Sequence, residues 1–144
     1  PTHETAVGLE RFEHADIHAN VITRRKALKV GENLDLEIEL VNAGKGHALL
    51  TKIMEVIPES FELIQKPEVY RVEDSYLNMK GKRLDPLKTE EVNLVLKPKE
   101  RGTFPLKPTI FYLDEDGKCK IHEAEPVTIT VKELGIKGWI KGER

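Results

Sequence analysis

The sequence is poor in several residues and patterns that mark particular functional classes. It has one cysteine, Cys119, which excludes an internal disulfide framework and a cysteine-based zinc cluster within this chain. No apolar run approaches the roughly twenty residues of a membrane-spanning helix. Its 23 basic residues nearly cancel its 25 acidic ones, so the positive field of a typical nucleic-acid binder is missing. We therefore expect neither nucleic acid nor a membrane as a partner.

What the sequence does contain is the composition of one folded domain. Its 144 residues, of which 39% are hydrophobic and 33% charged, suit a single globular core. We predict a lead-in segment at 1–15, a folded domain at 16–132 and a tail at 133–144. The chain begins at Pro1 without an initiating methionine, and we expect it to be a piece of a larger protein.

Alternating hydrophobic and polar residues predict β-strands along most of the domain. In residues 34–40, four aliphatic residues alternate with acidic ones, and only a period of two puts all four on one face. Residues 47–57 also satisfy a helical spacing, but their β-branched residues and the following Pro58 favour a strand. Residues 127–131 form the last strand. With about eight or nine strands and only short connections, the sequence predicts an all-β fold, an antiparallel β-sandwich.

Glycine, asparagine and proline residues separate these strands. Asn42-Ala43-Gly44-Lys45-Gly46 contains residues that tolerate positive φ, and it ends the clearest strand. We predict a hairpin within residues 77–84. Pro105 and Pro108 cannot donate to a strand ladder, so we place the first half of segment 104–113 at a sheet edge or a bulge.

The order of these segments is that of a known group of domains. Segment 28–34 leads into the alternating strand and its Asn42-Ala43-Gly44 turn, followed by segments 58–61, 94–104, 110–114 and 127–131. This order resembles the immunoglobulin-like (Ig-like) modules of bacterial and archaeal multidomain proteins, such as adhesion repeats and the Ig-like domains of aerotolerance proteins. The resemblance covers about residues 20–132 and implies an Ig-like β-sandwich acting as a spacer, scaffold or protein-binding surface, with no catalytic residues.

Two groups of residues have partial metal-ligand patterns. His14 and His18 have no cysteine or third histidine nearby, whereas zinc normally takes three or four protein ligands. The run 114–117 echoes the start of a calcium loop, but Cys119 stands where that loop requires glycine, and no helices flank Glu125. We interpret the histidines as part of a strand entry and the acidic run as a hairpin turn, and we predict no metal site.

Other candidate groups lack the partners that catalysis or ligand binding requires. Arg24-Arg25-Lys26, with Lys29, is a dense basic cluster without interleaved aromatic residues, so we interpret it as a solvated strand end. The loop at 42–46 lacks the Gly-Lys-Ser/Thr ending of a phosphate-binding loop. Cys119 lies between two lysines but has no matched base. We therefore predict no catalytic residues, no enzyme activity and no cofactor.

The tail carries the strongest signal for a partner. It places four large apolar residues after the last core strand, and its three glycines make an independent helix costly. These residues either fold back to cover the sandwich or the lead-in segment, or dock onto a neighbouring domain, a second copy or a membrane surface. We predict them as the partner-binding residues: Leu134, Ile136, Trp139 and Ile140.

The function predicted from the sequence is that of a non-catalytic Ig-like module of a larger protein, acting in protein–protein interaction or as a spacer. Its partner is predicted to be a protein or a neighbouring domain of the same chain. One alternative is an accessory domain that packs against a catalytic or signalling domain and exposes an apolar patch when isolated. Another is a carbohydrate- or ion-binding sandwich, which would need Phe61, Tyr70 and Tyr76 exposed on one face.

Overall fold

Twelve strands are present in the computed structural model, which describes residues 13–68, 70–74 and 76–133. In chain order they are β1 (Ile17–Thr23), β2 (Ala27–Lys29), β3 (Leu34–Asn42), β4 (Ala48–Met54), β5 (Phe61–Gln65), β6 (Arg71–Glu73), β7 (Tyr76–Leu84), β8 (Thr89–Pro98), β9 (Gly102–Leu106), β10 (Thr109–Leu113), β11 (Cys119–Glu123) and β12 (Val127–Lys132).

These strands form three sheets around one hydrophobic core. Sheet 1 has the strand order β1-β3-β8-β5, sheet 2 the order β11-β10-β4-β7-β6, and sheet 3 the order β2-β12-β9. The pairs in sheets 1 and 2 are antiparallel, whereas β2 and β12 of sheet 3 run parallel. The buried residues of all three sheets belong to one cluster, which confirms the predicted all-β sandwich.

Strand β3 shows how the sequence pattern builds this core. Its aliphatic residues face inward, and Leu36 and Ile38 are 2% and 0% exposed. Val21 of β1 and Val92 of β8 lie directly opposite Ile38. The inward-facing residues of these three neighbouring strands are therefore side by side. Burying each such aliphatic side chain stabilises the fold by about 1.5–3 kcal/mol. The acidic residues between them lie on the outer face of sheet 1.

The hairpin predicted within residues 77–84 is wrong. Those residues lie in the single strand β7, and the chain reverses earlier, where Glu73 of β6 pairs with Tyr76. Lys80 and Gly81 have φ angles of 56° and 68°, and opposite them the pairing of β4 with β7 shifts register. They form a bulge that bends β7. A bulge and a hairpin turn both use positive φ, so the sequence signal was ambiguous between them.

The structure has twelve strands where eight or nine were predicted, because segment 104–113 is divided into two strands and because β2 and β11 were not predicted. Lys107 and Pro108 separate β9 from β10, and residues 124–126 separate β11 from β12. The segment containing Pro105 forms β9 at the edge of sheet 3, as predicted from its prolines. The ambiguous segment 47–57 contains strand β4, so that prediction is also confirmed.

Candidate functional site

Four residues predicted to bind a partner lie outside the described residues: Leu134, Ile136, Trp139 and Ile140. Their role stays a prediction. The residue just before their segment is described. The Val30 N–H donates to the Lys132 carbonyl at 2.9 Å, and the neighbouring Gly31 N–H donates to the Pro98 carbonyl at 3.1 Å. The segment therefore starts beside the end of β8.

The two histidines considered as a metal-ligand pair do not converge. His14 Nδ1 is hydrogen-bonded to Glu115, in the turn between β10 and β11. His18 Nε2 lies 3.0 Å from Asp16 Oδ2, and the His18 ring lies 4.9 Å from the ring of His122 on β11. Both histidines join the start of sheet 1 to the edge of sheet 2, each through its own contacts. We call this junction the histidine seam.

The acidic run at 114–117 forms a turn, as predicted, and Asp114 organises it. Its Oδ1 accepts hydrogen bonds from the backbone N–H groups of Asp116 and Lys118, both at 2.9 Å, and Lys120 Nζ lies 3.4 Å from Oδ2. Burial raises the pKa of Asp114, but these N–H donors and the Lys120 ammonium outweigh burial and hold that pKa below its usual value. Asp114 is a charged residue that shapes the turn.

The carboxylates of the seam are balanced by cations of the same chain. His14, Asp114, Glu115 and Asp116 bring ligand-type atoms within 4.8 Å of one another. His14 contacts Glu115 and lies 3.6 Å from Asp116, and the Lys120 ammonium pairs with Asp114. The hydrogen bond from Glu115 raises the pKa of His14, which favours its cationic form. This arrangement explains the cluster as an electrostatic contact between two sheets.

The contact between His14 and Glu115 makes stability depend on pH with a defined sign. Because the pKa of His14 is raised from 6.5 in the folded chain, the contact contributes fully below about pH 6.5 and is lost as the pH rises through the raised pKa. We expect the difference in unfolding free energy between the parent and His14→Gln to be largest near pH 5.5 and smallest near about pH 8.5. Urea unfolding across this range measures it, and a difference that grows with pH would contradict this assignment.

The loop at 42–46 packs directly on the histidine seam. A Cβ atom at Gly44 would lie 1.9 Å from the His14 carbonyl oxygen, and one at Gly46 would lie 2.0 Å from Glu115 Oε1. Both distances are far below van der Waals contact. Gly44 is therefore required by close packing, because its neighbours are backbone atoms, whereas a side chain at Gly46 would displace the Glu115 side chain.

Replacing Gly46 by alanine is expected to lower the unfolding free energy by about 1–3 kcal/mol, because the new methyl group collides with the Glu115 carboxylate. The test is a double-mutant cycle with Glu115→Ala, followed by urea unfolding. Without the carboxylate, the Gly46→Ala substitution should cost much less. Equal costs in both backgrounds would show that the loss does not arise from contact with Glu115.

A second group of polar residues lies where two clefts adjoin, the first on the outer face of sheet 1 and the second beside β8, where Tyr70 and Glu90 belong to the inner side. The first cleft, of about 410 Å³, crosses all four strands of the sheet and has Asp35, Glu37 and Val95 among its lining residues. The second, of about 350 Å³, includes Glu68, Tyr70, Glu90 and Glu91. Gln65 and Asn93 line both clefts, so the two form one depression. We call this depression the acidic trough.

The carboxylates at the trough are crowded. Glu39 lies directly opposite Glu91 in the pairing of β3 with β8, and Glu37, Glu39 and Glu91 place carboxylate oxygens within 4.8 Å of one another. Within residues 13–68, 70–74 and 76–133, no lysine, arginine or histidine nitrogen lies within 4.0 Å of these three carboxylates. Like charges placed directly across a sheet are destabilising. The crowding therefore costs stability in the isolated chain.

The aromatic and basic residues considered from the sequence have structural roles. Phe61 and Tyr70 are 4% and 5% exposed, so the exposed aromatic face considered for a carbohydrate-binding domain is absent at these two positions. In the basic cluster, Arg25 donates to the Asn33 carbonyl at 2.8 Å and pairs with Glu32. Arg25 thus holds the turn that precedes β3.

Sequence reasoning missed both the trough and the seam. The sequence predicted a polar outer face for β3, but its acidic residues meet Glu91 only because β3 pairs with β8. Likewise His14 meets Glu115 only after the fold brings distant segments together. The signal that could have indicated the trough was the acidic residues on the polar faces of both strands, with Glu37 and Glu39 on β3 and Glu91 on β8.

No helix of the described residues is long and apolar enough to cross a membrane.

Solved structures with a similar fold come from several kinds of protein. A variant of BcpA, the major pilin subunit of Bacillus cereus, has a TM-score of 0.60 at 12% identity, covering 82% of this chain and 40% of the pilin chain. A CARDB domain from Pyrococcus furiosus, in complex with di-metal ions, has a TM-score of 0.54 at 14% identity, covering 85% and 97%. The Vibrio cholerae VesB protease has a TM-score of 0.53 at 8% identity, covering 90% and 34%.

At these identities the likeness shows the fold alone, and this chain spans less than half the length of the pilin and of the protease. It supports the Ig-like β-sandwich expected from the sequence, without supporting the narrower resemblance to adhesion repeats or aerotolerance proteins. No curated protein matches the sequence. Residues 7–134 match the family described as translocon-associated protein beta (TRAPB). Because that match spans most of the 144 residues, the chain belongs to the translocon-associated protein beta family.

Proposed function

We propose that the chain is a non-catalytic Ig-like module that binds another protein, and that the acidic trough is its main working surface. The observation that carries this proposal is the crowding of Glu37, Glu39 and Glu91 without a counter-charge among the described residues. Such an arrangement lowers stability in isolation and favours a partner that supplies the missing charge. The family name, translocon-associated protein beta, is consistent with a role in association.

The chemistry of the polar clusters supports a role without catalysis. In the histidine seam, His14, Asp114 and Glu115 are occupied with hydrogen bonds and ion pairs that hold the turn and the loop. Cys119 is exposed at the start of β11. A nucleophile hydrogen-bonded to an oriented base, as acyl transfer requires, does not occur within the hydrogen bonds of the described part of the chain.

The surface favours a polar partner over tight packing against a neighbouring domain. The exposed large hydrophobic residues of the described segments lie in different elements: Ile22, Ile64, Leu87 and Ile121. Ile22 lines the acidic trough, whereas Leu87 lies in the connection before β8. An accessory domain built to pack against a neighbour would concentrate such residues in one patch.

The tail is a second proposed docking element, on the basis of its sequence. Its four large apolar residues follow the last core strand, which ends near the end of β8: Leu134, Ile136, Trp139 and Ile140. Tryptophan with neighbouring aliphatic residues is typical of an interface anchor. The partner of this element would be a protein or a neighbouring domain of the same chain.

Affinity capture from the source cell's lysate tests the proposed function. Four forms are compared: the parent, a form truncated after Lys132, the variant Glu37→Gln/Glu39→Gln/Glu91→Gln, and the control variant Glu59→Gln/Glu125→Gln. We expect the parent and the control to retain a protein that the trough variant or the truncated form loses, identified by mass spectrometry. Retention of the same proteins by all four forms would rule out both surfaces, and no enriched protein would rule out the interaction function.

A further inference from the structure

We infer that β11, at the edge of sheet 2, pairs antiparallel with β11 of a second copy of this chain. The pairing joins two five-stranded sheets into one continuous sheet across the two copies. This inference goes beyond the proposed function, because β11 belongs to sheet 2, whereas the acidic trough lies along sheet 1. Three features of β11 carry it: its free backbone groups, its unprotected edge and the distribution of its charges.

The backbone of β11 leaves every second residue without a ladder partner. The Asp114 N–H donates to the Lys118 carbonyl at 2.9 Å, and the Ala124 N–H donates to the Pro108 carbonyl at 3.0 Å. Even-numbered residues of this segment therefore face β10, because successive residues of a strand direct their backbone groups to opposite sides. Three exposed residues direct their N–H and carbonyl groups away from β10: Cys119, Ile121 and Glu123. Within the described part of the chain, no strand pairs with β11 on that side.

The other edges of the three described sheets each have a feature that opposes pairing. At β1, the Ile17 N–H donates to the Tyr112 hydroxyl at 3.2 Å, which ties that edge to sheet 2. The pairing of β5 with β8 shifts register, and β9 contains Pro105. Strands β2 and β6 have only three residues each. Strand β11 has five residues in unbroken register with β10 and contains no proline, so its edge can accept a further strand.

The side chains of β11 do not protect this edge. Ile121, at the centre of the strand, is 59% exposed. The Lys120 Nζ lies 3.4 Å from Asp114 Oδ2, so this lysine is engaged within the chain. A two-fold axis at Ile121 pairs all five residues of each strand and brings the two exposed isoleucine side chains together. Other registers that pair the free backbone groups leave at least two residues of each strand unpaired, so we assign the register centred on Ile121.

Strand β1 contacts β11 without pairing with its free edge. The His18 ring lies 4.9 Å from the His122 ring, but β1 and β11 belong to different sheets. The exposure of Ile121 shows that the edge itself is open.

The charges along β11 favour an antiparallel copy of the same strand as its partner. Lys118 and Lys120 lie at the start of the strand, and Glu123 lies at its end. In the register centred on Ile121, Glu123 of one copy lies opposite Cys119 of the other, which has a lysine on each side. His122 lies opposite Lys120 of the second copy, and burial lowers the pKa of His122, so its ring is uncharged near neutral pH. Parallel pairing would instead place like charges side by side.

Sedimentation equilibrium of the full chain with a reductant, between about 10 μM and 1 mM, tests the pairing. We expect a weak monomer–dimer equilibrium, since two short strands bury less area than a standard interface. Ile121→Pro should raise the dimer dissociation constant at least about tenfold, because proline removes the central N–H of the edge. That N–H faces away from β10, so the monomer should still melt cooperatively. The control Ile121→Val keeps the N–H and should change the constant by less than about threefold.

A disulfide tests the register and does not depend on the proline variant. Glu123→Cys places a new thiol opposite Cys119 of the second copy, where the Cα atoms of a directly paired position lie about 5.5 Å apart, within disulfide range. Mild oxidation should give a covalent dimer, and peptide mapping should show position 119 linked to position 123. The two Cys119 residues of the parent are offset by about 13 Å in this register and should not link. The control Glu62→Cys adds an exposed thiol on β5 and should give at least about tenfold less dimer.

Several results would overturn the inference. They are a parent chain that stays monomeric up to the highest concentration, equal association by folded Ile121→Pro, a disulfide between the two Cys119 residues, and equal cross-linking by Glu62→Cys. A chain whose β11 edge takes a strand of another protein would stay monomeric alone and would likewise contradict it. All of these experiments use the chain by itself, so their failure leaves the proposed binding at the acidic trough to be decided by the capture experiment.

Discussion

Replacing Ile38 by aspartate is expected to unfold the domain. Ile38 is 0% exposed and lies at the centre of β3, between Val21 and Val92 on the neighbouring strands. The substitution removes a buried aliphatic group and introduces a carboxylate without a partner, at a combined cost of about 4–5 kcal/mol or more. That cost approaches the whole unfolding free energy of a typical domain, about 5–15 kcal/mol. Circular dichroism during heating should show no cooperative transition.

A substitution on the outer face of the same strand is the control for the loss of the core residue. Glu37 is adjacent to Leu36 and Ile38 but lies on the outer face, so Glu37→Gln should melt close to the parent. The register of sheet 1 would be wrong if Ile38→Asp melted cooperatively near the parent temperature. The register of β3 also fixes which residues form the acidic trough, so that result would remove the proposed surface as well.

Replacing Asn42 by aspartate is the second substitution with a large expected effect. The Asn42 side chain is completely buried and uses all of its hydrogen-bonding capacity. Its Oδ1 accepts from the N–H groups of Asp16 at 3.1 Å and Gly44 at 3.0 Å, and its Nδ2 donates to the carbonyls of Gly46 at 2.8 Å and Leu84 at 3.0 Å. One side chain thus joins the start of β1, the loop at 42–46 and the end of β7.

Aspartate has nearly the same shape but cannot supply the two donors. In Asn42→Asp a carboxylate oxygen would face the carbonyls of Gly46 and Leu84, and even a protonated carboxyl could donate to only one of them. We expect a loss of about 3–5 kcal/mol in unfolding free energy, measured with urea near neutral pH. The loss should diminish at acidic pH, because protonation removes the buried charge.

The exposed Asn33 in the turn before β3 provides the control for this substitution. Asn33→Asp should change the unfolding free energy by no more than about 0.5 kcal/mol, since Asn33 is exposed. If Asn42→Asp behaved like Asn33→Asp, the four hydrogen bonds assigned to Asn42 would be incorrect. The loop would then have to be held on the histidine seam by other contacts.

The parts of the fold that the sequence predicted are those determined by local pattern. The alternation in 34–40 predicts a strand with one buried face because strand side chains alternate strictly, and β3 has that pattern. The prolines of 104–113 placed β9 at an edge because proline lacks an N–H. The pair Lys80-Gly81 was misassigned because positive φ serves bulges and turns equally, and only pairing with β4 distinguishes them.

The candidate sites depend on pairings between distant segments, which a single sequence does not contain. Glu39 and Glu91 become neighbours only because β3 pairs with β8 in one register. Asn42 was recognised as a turn residue, whereas its hydrogen bonds to Gly46 and Leu84 require the packed core. The predicted role of the tail around Trp139 lies outside the described residues and stays a prediction.

Carboxylate footprinting of the chain with its captured partner tests the central claim most directly. Carbodiimide coupling of an amine labels accessible carboxylates, and mass spectrometry gives the labelling of each residue with and without the partner. We predict that the partner reduces labelling of Glu37, Glu39 and Glu91 while Glu59 and Glu125 remain unchanged. Unchanged labelling at the trough, or protection confined to Glu59 and Glu125, would contradict the assignment of the outer face of sheet 1 as the working surface.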